Sequence, residues 1–335
     1  MFGFGKAVIF PGCGILELYT FLCNIINKSS VASIVVGQPK VTIIIVYYAI
    51  LLVVLFGLKN IRTKYTRAEK ERNIIKMNLS NKNIVHVKTD NVEYIQFKRL
   101  LEYKNIAHCY TLKSDGQLNF KTENNPIMLK SYENISKELE FTDIIKPMQK
   151  HTDNVLTIQG KQELDGVDGL ITNIKNVTLA STSADCISLL FYDPNKNVIA
   201  NVHSGWRGTE KGISKITVEK MMNEFKCNPE DIICCICPSI RRCHFEVDTD
   251  VKDIFYNKYS NLPEINDIIK KDHERNKYYI DTVLINKCIL KKLGLIEENI
   301  IDSNICTVCN SNLLHSYRKA GENSGRNMAI IEIKK

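Results

Sequence analysis

The chain has 335 residues, 24% charged and 44% hydrophobic, an ordinary globular composition that excludes disordered, collagen-like and coiled-coil proteins. Its formal charge of +8 is all N-terminal: Lys59 to Lys82 carries eight Lys or Arg against Glu69 and Glu71, residues 1–40 carry Lys6, Lys28 and Lys40 against Glu17, and residues 83–335 balance. A neutral body lacks the distributed basic face that a phosphate backbone requires, so no nucleic acid is expected as a partner.

Taken in chain order, residues 1–40 form an apolar, irregular segment in which Pro11, Gly12, Gly14 and Glu17 interrupt the run from Ala7 to Ile26. That pattern suits an interfacial helix or a weak hairpin partner. Residues 41–58 are 18 residues without a charge, just long enough to span a bilayer as a transmembrane helix. A buried core helix is the other reading, but such a helix normally breaks its apolar run with a polar stripe. Residues 59–82 are a basic linker, and their excess of Lys and Arg places the large C-terminal part in the cytoplasm. A membrane-anchored protein with a cytoplasmic catalytic domain is therefore expected, or a wholly cytoplasmic one if translation starts at Met77.

Residues 83–335 read as one mixed domain without repeats. Strands are predicted at Val177 to Ser181, Ile187 to Tyr192, Val198 to His203, Ile232 to Ile236 and Ala329 to Ile333. Helices are predicted from Thr209, as N-cap, to Phe225, and from Asp281 to Leu293 with Gly294 as the stop. The twelve cysteines are read as thiols. Two C-x-x-C pairs, Cys234 with Cys237 and Cys306 with Cys309, offer four thiolates to zinc. Their separation far exceeds the roughly 15–20 residues of a zinc ribbon, so buried or spare thiols are the expected account.

The most informative segment runs from Ala184 to Thr209. Two apolar runs flank Asp193-Pro-Asn-Lys196, which predicts a β-hairpin pairing Ile187 with Val202, Leu189 with Ala200 and Phe191 with Val198 on one apolar face. The other face then pairs Tyr192 with Asn197, Leu190 with Ile199, Ser188 with Asn201, and Cys186 with His203 at the open end. After it, Ser204-Gly-Trp-Arg-Gly208 carries two glycines into a helix start, where free N–H groups beside Arg207 would suit an anion. A thiol facing an imidazole beside such a loop makes a candidate site.

These residues carry a resemblance. Ala184-Asp-Cys186, His203-Ser-Gly-Trp-Arg-Gly208, Gln149-Lys-His151, Pro238-Ser-Ile240, Phe245-Glu-Val247, Cys306-Thr307, His315-Ser-Tyr-Arg318 and Gly325-Arg326 resemble the laccase-domain family over residues 80–335. That family is also called polyphenol oxidase or multicopper oxidase-like, and its members are regarded as purine nucleoside phosphorylases with adenosine deaminase activity. The resemblance implies an α+β fold of mixed β-sheets flanked by helices. It implies phosphorolysis of adenosine, inosine and methylthioadenosine, and a metal or catalytic trio of His151, Cys186 and His203. One thiolate and two imidazoles match the ligand count of a catalytic zinc with an open fourth position, with adventitious copper as the other occupant. Such a zinc lowers the pKa of water to about 7, which suits attack on C6 of adenosine with loss of ammonia.

Phosphorolysis further asks for cations that hold phosphate and a donor for the departing purine. Lys113, Arg207 and Arg318 are the phosphate candidates, each against a surface salt bridge, with Gln149 and Ser239 as further substrate-binding candidates. The donor is His108 or a metal-bound water, and Asp185 either orients a histidine and moves a proton or stabilises a turn. Where the family usually has His-Gly-Phe-Ser-Thr-Arg this chain has His108-Cys-Tyr-Thr-Leu-Lys113, which keeps the final charge and loses the bidentate fork. Cys237 replaces the usual glycine before Pro238, and Lys319 the usual second arginine. Seven histidines without a His-x-His pair are too few for multicopper laccase chemistry. A hydrolase with Cys186 as nucleophile and a non-enzymatic membrane-anchored binding protein are the alternatives.

Overall fold

The computed structural model describes residues 78–114, 118–121, 126–160 and 162–335. The expected membrane segment 41–58, the apolar segment before it and most of the basic linker lie outside the described residues. Among the described residues no helix is long and apolar enough to cross a membrane.

Two six-stranded mixed sheets form the body. The first comprises β1 (Ile84–Lys88), β2 (Glu93–Phe97), β3 (Ile106–Thr111), β4 (Ile144–Ile145), β7 (Thr178–Ser183) and β15 (Asn327–Ile333), in the order β1-β2-β3-β15-β7-β4. The second comprises β5 (Val155–Thr157), β6 (Gly169–Thr172), β8 (Ile187–Asp193), β9 (Val198–Ser204), β10 (Ile233–Ile236) and β14 (Ile300–Asp302), in the order β14-β10-β8-β9-β6-β5. Strand alternation explains their stacking. Leu190, Tyr192 and Ile199 turn one way and pack with Ile95, Leu179 and Ile331 of the first sheet, while Leu189, Phe191, Val198, Ala200 and Val202 turn the other way.

Helices cover the two outer faces. Helix α1 (Lys98–Leu101) is a single turn, and α2 (Pro126–Leu139) sets Met128 and Ile135 against Cys109 and Ile330 of the first sheet. On the second sheet lie α3 (Trp206–Lys211), α4 (Ile213–Phe225) and, later in the chain, α7 (Thr282–Lys292), with Ile213, Val218, Met221, Val283 and Leu290 in the shared core. A smaller lobe of β11 (Glu246–Val247), β12 (Ile269–Asp272) and β13 (Lys277–Ile280) carries α5 (Thr249–Tyr259) and α6 (Ile265–Ile268) around Phe255, and α8 (Tyr317–Ala320) precedes β15. The layering is helix, sheet, sheet, helix, the α+β arrangement of mixed sheets flanked by helices that the resemblance implies.

Two local expectations need correction. The helix expected from Thr209 to Phe225 is two helices, because Gly212 at φ +84 breaks it; Gly205 is the N-cap of α3, and Thr209 lies buried inside α3 with its hydroxyl on Ser204. At the later helix the expectation matches: the Asp281 side chain accepts from Leu284 N, and Gly294 follows at φ +97. The hairpin forms, but two residues out of the expected register: Ser188 faces His203, Leu189 faces Val202 and Asp193 faces Val198. The cause is where the turn begins: the four-residue loop is Pro194 to Asn197 rather than Asp193 to Lys196, because Asp193 Oδ1 accepts from Asn195 N (2.8 Å) and Lys196 N (2.9 Å) and Asn197 takes φ +54. A shift of two preserves the alternation, so both faces keep their residues, but Cys186 no longer stands opposite His203.

Candidate active site

Three chain segments meet at the open end of the hairpin. His203 is the next-to-last residue of β9, and it is buried. Cys186 is the residue before β8, and extending the register one step past the Ile187–Ser204 pair places Gly205 opposite it. Cys186 and His203 are therefore diagonal neighbours on one face of the hairpin, a separation that their side chains can bridge. Gly205 makes the room, because a Cβ there would stand 2.7 Å from His151 Cδ2, 3.3 Å from Cys186 Sγ and 3.4 Å from His203 Cε1. The glycine thus serves the approach of three side chains. The anion site expected at this helix start has little to stand on, since α3 is only six residues long.

His151 reaches the same point from the loop before β5. It sits at φ +60 with its Nε2 3.7 Å from Cys186 Sγ and its ring centroid 4.9 Å from that of His203. One donor atom from each of His151, Cys186 and His203 falls within 4.8 Å of the others. The residue that organises them, Asp168, was not singled out in the sequence. It is fully buried just before β6, and its Oδ1 takes His203 Nδ1 at 2.7 Å and His151 N at 3.1 Å. Its Oδ2 takes Lys150 N, Thr152 N and the Thr152 hydroxyl at 3.2, 2.7 and 2.7 Å. The one signal available was an Asp entering an apolar strand, where a carboxylate must be paired.

Burial raises the Asp168 pKa, but the bonds from His203 and Thr152 outweigh it and hold the carboxyl down at about 2. With Nδ1 committed to Asp168, His203 has its Nε2 for the thiol or a metal, the carboxylate–histidine support of ligating imidazoles. Burial likewise opposes ionisation of Cys186 and His203, yet each stabilises the charge of the other. The thiol falls to about 6, helped by His151, and the imidazole rises to about 9, helped by Asp168. A soft thiolate with two imidazoles and a buried carboxylate behind one of them fits zinc or copper. Multi-ion copper chemistry would need more imidazoles than the cavity has.

The trio lies in the floor of a cavity of about 640 Å³, a volume suited to a small-molecule ligand. Its apolar wall includes Trp206, Ile240 and Phe245, and its cations are Lys121, Lys146, Lys150, Arg318 and Arg326. Gln149 lines it too, with its amide paired to Thr182 N and O. Arg318 spends its guanidinium on His244 O (2.7 Å) and Glu246 O (3.2 Å). Other expected residues lie elsewhere. His108 is buried in β3, where its Nε2 accepts from Phe97 N and burial holds its pKa near 3, and it does not line the cavity where a leaving-group donor must stand. Lys113 donates to Ser311 O away from the cavity, and Arg207 stacks on Trp206 with 4.3 Å between guanidinium carbon and ring centroid. Ser239 is buried in a bridge to Cys306 and does not line the cavity. Asp185 clasps Thr307 Oγ1 (2.5 Å) and Arg318 N (2.6 Å), the turn-stabilising reading, and orients no histidine.

The family described as multi-copper polyphenol oxidoreductase laccase matches residues 117–334. The chain belongs to that family. It is 30% identical over 274 residues to a protein of Bacteroides thetaiotaomicron named purine nucleoside phosphorylase, covering 74% of this chain and 98% of the relative. It is 31% identical over 203 residues, 58% of this chain and 76% of the relative, to adenosine deaminase RL5 of an unidentified prokaryote. Among solved structures, YlmD from Geobacillus stearothermophilus superposes with a TM-score of 0.67 at 23% identity, covering 75% of this chain and 99% of that one. That likeness shows the fold. The family name promises copper oxidation, yet the cavity floor of this laccase-family chain holds one Cys and two His.

Proposed function

We propose that this laccase-family chain is a purine nucleoside phosphorylase. It joins adenosine, inosine or methylthioadenosine with phosphate to give the free base and ribose 1-phosphate or its methylthio analogue, and it deaminates adenosine as a side activity. The observation that carries the reading is the His151, Cys186 and His203 trio, locked by Asp168 in the floor of a cavity fit for a nucleoside. The names of the Bacteroides relative and of RL5 support the two activities.

In phosphorolysis the bond from C1′ to the purine nitrogen breaks, a bond from C1′ to a phosphate oxygen forms, and the base takes up a proton. Trp206, Ile240 and Phe245 offer an apolar wall for the purine and exclude water from it. The phosphate is assigned to Arg326, because Lys113 and Arg207 lie outside the cavity, Lys150 pairs with Asp165, and both Lys121 and Arg318 donate to backbone carbonyls. Arg326 donates through Nη1 to Gly325 O, and among the described residues its Nη2 is uncommitted. A zinc ion held by His151, Cys186 and His203 would supply Lewis acidity and an activated water. Asp168 fixes the His203 tautomer, and Gly205 leaves the three donors free to converge.

The test is chromatography of adenosine incubated with the purified full chain, with and without phosphate, beside a Cys186→Ala control. Adenine and ribose 1-phosphate formed only with phosphate, and lost in the variant, would bear out the reading; unchanged adenosine would refute it. The thiol held at about 6 favours one second reading, a hydrolase with Cys186 as nucleophile. That reading requires activity to survive metal removal and to end on alkylation of Cys186.

A further inference from the structure

The two C-x-x-C motifs do not pair with one another, as their separation in sequence led one to expect, and the reason is internal to β10. Residues three apart on a strand face opposite sides, so Cys234 is buried under the helices and Cys237 between the sheets. Cys306 and Cys309 meet other partners. The turn from Arg241 to Phe245 brings Cys243 and His244 to them, and all four donor atoms lie within 4.8 Å of one another. The Sγ atoms of Cys243 and Cys309 are 3.9 Å apart, and His244 Nδ1 is 3.2 Å from Cys243, 3.6 Å from Cys306 and 3.5 Å from Cys309.

Those distances carry a geometric signature. A tetrahedral zinc with bonds of about 2.3 Å to sulfur and about 2.05 Å to nitrogen separates its sulfurs by about 3.75 Å and sulfur from nitrogen by about 3.55 Å. The observed 3.9 Å and the mean of the three sulfur–nitrogen distances both fall close to this. Hydrogen bonds hold both turns in place and tie one to the other. The first is held by Arg241, which grips Asp302 with two bonds of 2.9 and 2.5 Å and donates to Ile305 O. The second is closed by Asn310 N and Nδ2 on Cys306 O.

The geometry points to a second metal site, a closed four-donor zinc site of Cys243, His244, Cys306 and Cys309 that pins the two turns together. Four protein donors leave no open position, so its role is structural. Its reach extends to the active cavity: His244 O and Glu246 O hold the Arg318 guanidinium, and Thr307, between the two cysteines, donates to Asp185. The site therefore sets the wall formed by Phe245 and Arg318 without touching the substrate.

The test uses the full chain carrying His151→Ala, Cys186→Ala and His203→Ala, which removes every donor at the cavity floor. Elemental analysis after dialysis should find about one zinc per chain, falling at least about tenfold when Cys243→Ser and Cys309→Ser are added. Should the added serines unfold the protein, cobalt titrated into the metal-free trio variant decides the matter. Thiolate-to-cobalt charge transfer with intense tetrahedral ligand-field bands supports the site, and weak octahedral bands overturn it. Loss of all zinc with the trio, zinc that persists after the serine substitutions, or a Cys243–Cys309 disulfide found by mass spectrometry would each overturn it.

Discussion

Asp168→Asn is the sharpest perturbation of the trio, because it changes one atom and leaves the shape intact. The carboxylate accepts five hydrogen bonds, from His203 Nδ1 and His151 N on one oxygen and from Lys150 N, Thr152 N and Thr152 Oγ1 on the other. An amide has a single acceptor oxygen, so either orientation turns its NH2 toward donors. Facing His203, the NH2 forces the imidazole proton onto Nε2 and removes the lone pair that a metal needs. Facing Thr152, it strands buried donors at about 1–3 kcal/mol each. Loss of such an outer partner weakens metal binding by about 10–100-fold. That is roughly 1.4–2.8 kcal/mol at about 1.4 kcal/mol per decade. Competition against a chromophoric chelator, run beside a circular-dichroism melt, separates affinity from stability. An Asp168→Asn protein that binds zinc within twofold of wild type would refute the claim that the carboxylate sets the His203 tautomer.

Three further outcomes follow from the same geometry. Gly205→Ala puts a Cβ 2.7 Å from His151 Cδ2, so the ring must move; nucleoside cleavage and zinc affinity should fall together, at a stability cost of about 1–3 kcal/mol readable by urea titration, and unchanged affinity would refute the packing argument. In metal-stripped protein, burial of Cys186 is outweighed by His203 and His151, so the thiolate forms as pH rises through about 6; iodoacetamide labelling followed by peptide mass spectrometry should show its midpoint there, and one near 9 would refute the ion pair. Asp185→Asn turns an amide toward Thr307 or Arg318 N and loosens the cavity wall, so KM should rise while zinc content and the pH profile of kcat stay put; a displaced pH profile would restore Asp185 to a proton-moving role.

Cys186 and His203 were legible as neighbours because both belong to one hairpin and the hairpin announces itself, whereas His151 came from the family resemblance alone. Asp193-Pro-Asn-Lys196 fixed the turn, and strict alternation fixed which residues share a face. The register was not legible to better than two residues. It depends on Asp193 capping Asn195 and Lys196, which moves the four-residue loop one position along the chain without changing the pattern of faces. Asp168 was invisible for a different reason: its partners lie 16 to 35 residues away, and only folding reveals that one buried carboxylate serves two histidines. Two of the three phosphate candidates lie outside the cavity because side-chain direction decides. Arg207 adjoins the cavity residue Trp206 in sequence but lies over its ring, and Lys113 bends to Ser311. The cysteine motifs show the same limit, since C-x-x-C on a strand splits its thiols between two faces and on a turn gathers them.

The hairpin also explains why the site lies where it does. Along its inward face the pairs run Tyr192 with Ile199, Leu190 with Asn201, and Ser188 with His203, with Cys186 beyond. The first pair is apolar and sits in the core between the sheets. Asn201 is the transition: its amide donates to Leu179 O and Ala329 O at 2.9 and 2.8 Å, so it joins β9 to two strands of the opposite sheet. The Ser188 hydroxyl meets that of Ser181 across the same gap at 3.1 Å. Past that point the apolar filling ends, and His203 is the first residue of the face to reach the cavity. A titratable trio placed one pair deeper would have to strip its charges of solvent among Leu190, Ile331 and Tyr110, and one placed further out would lose Asp168. The gradient of polarity along one strand pair thus confines the chemistry to the single level where a thiolate and an imidazolium can be both supported from behind and reached from in front.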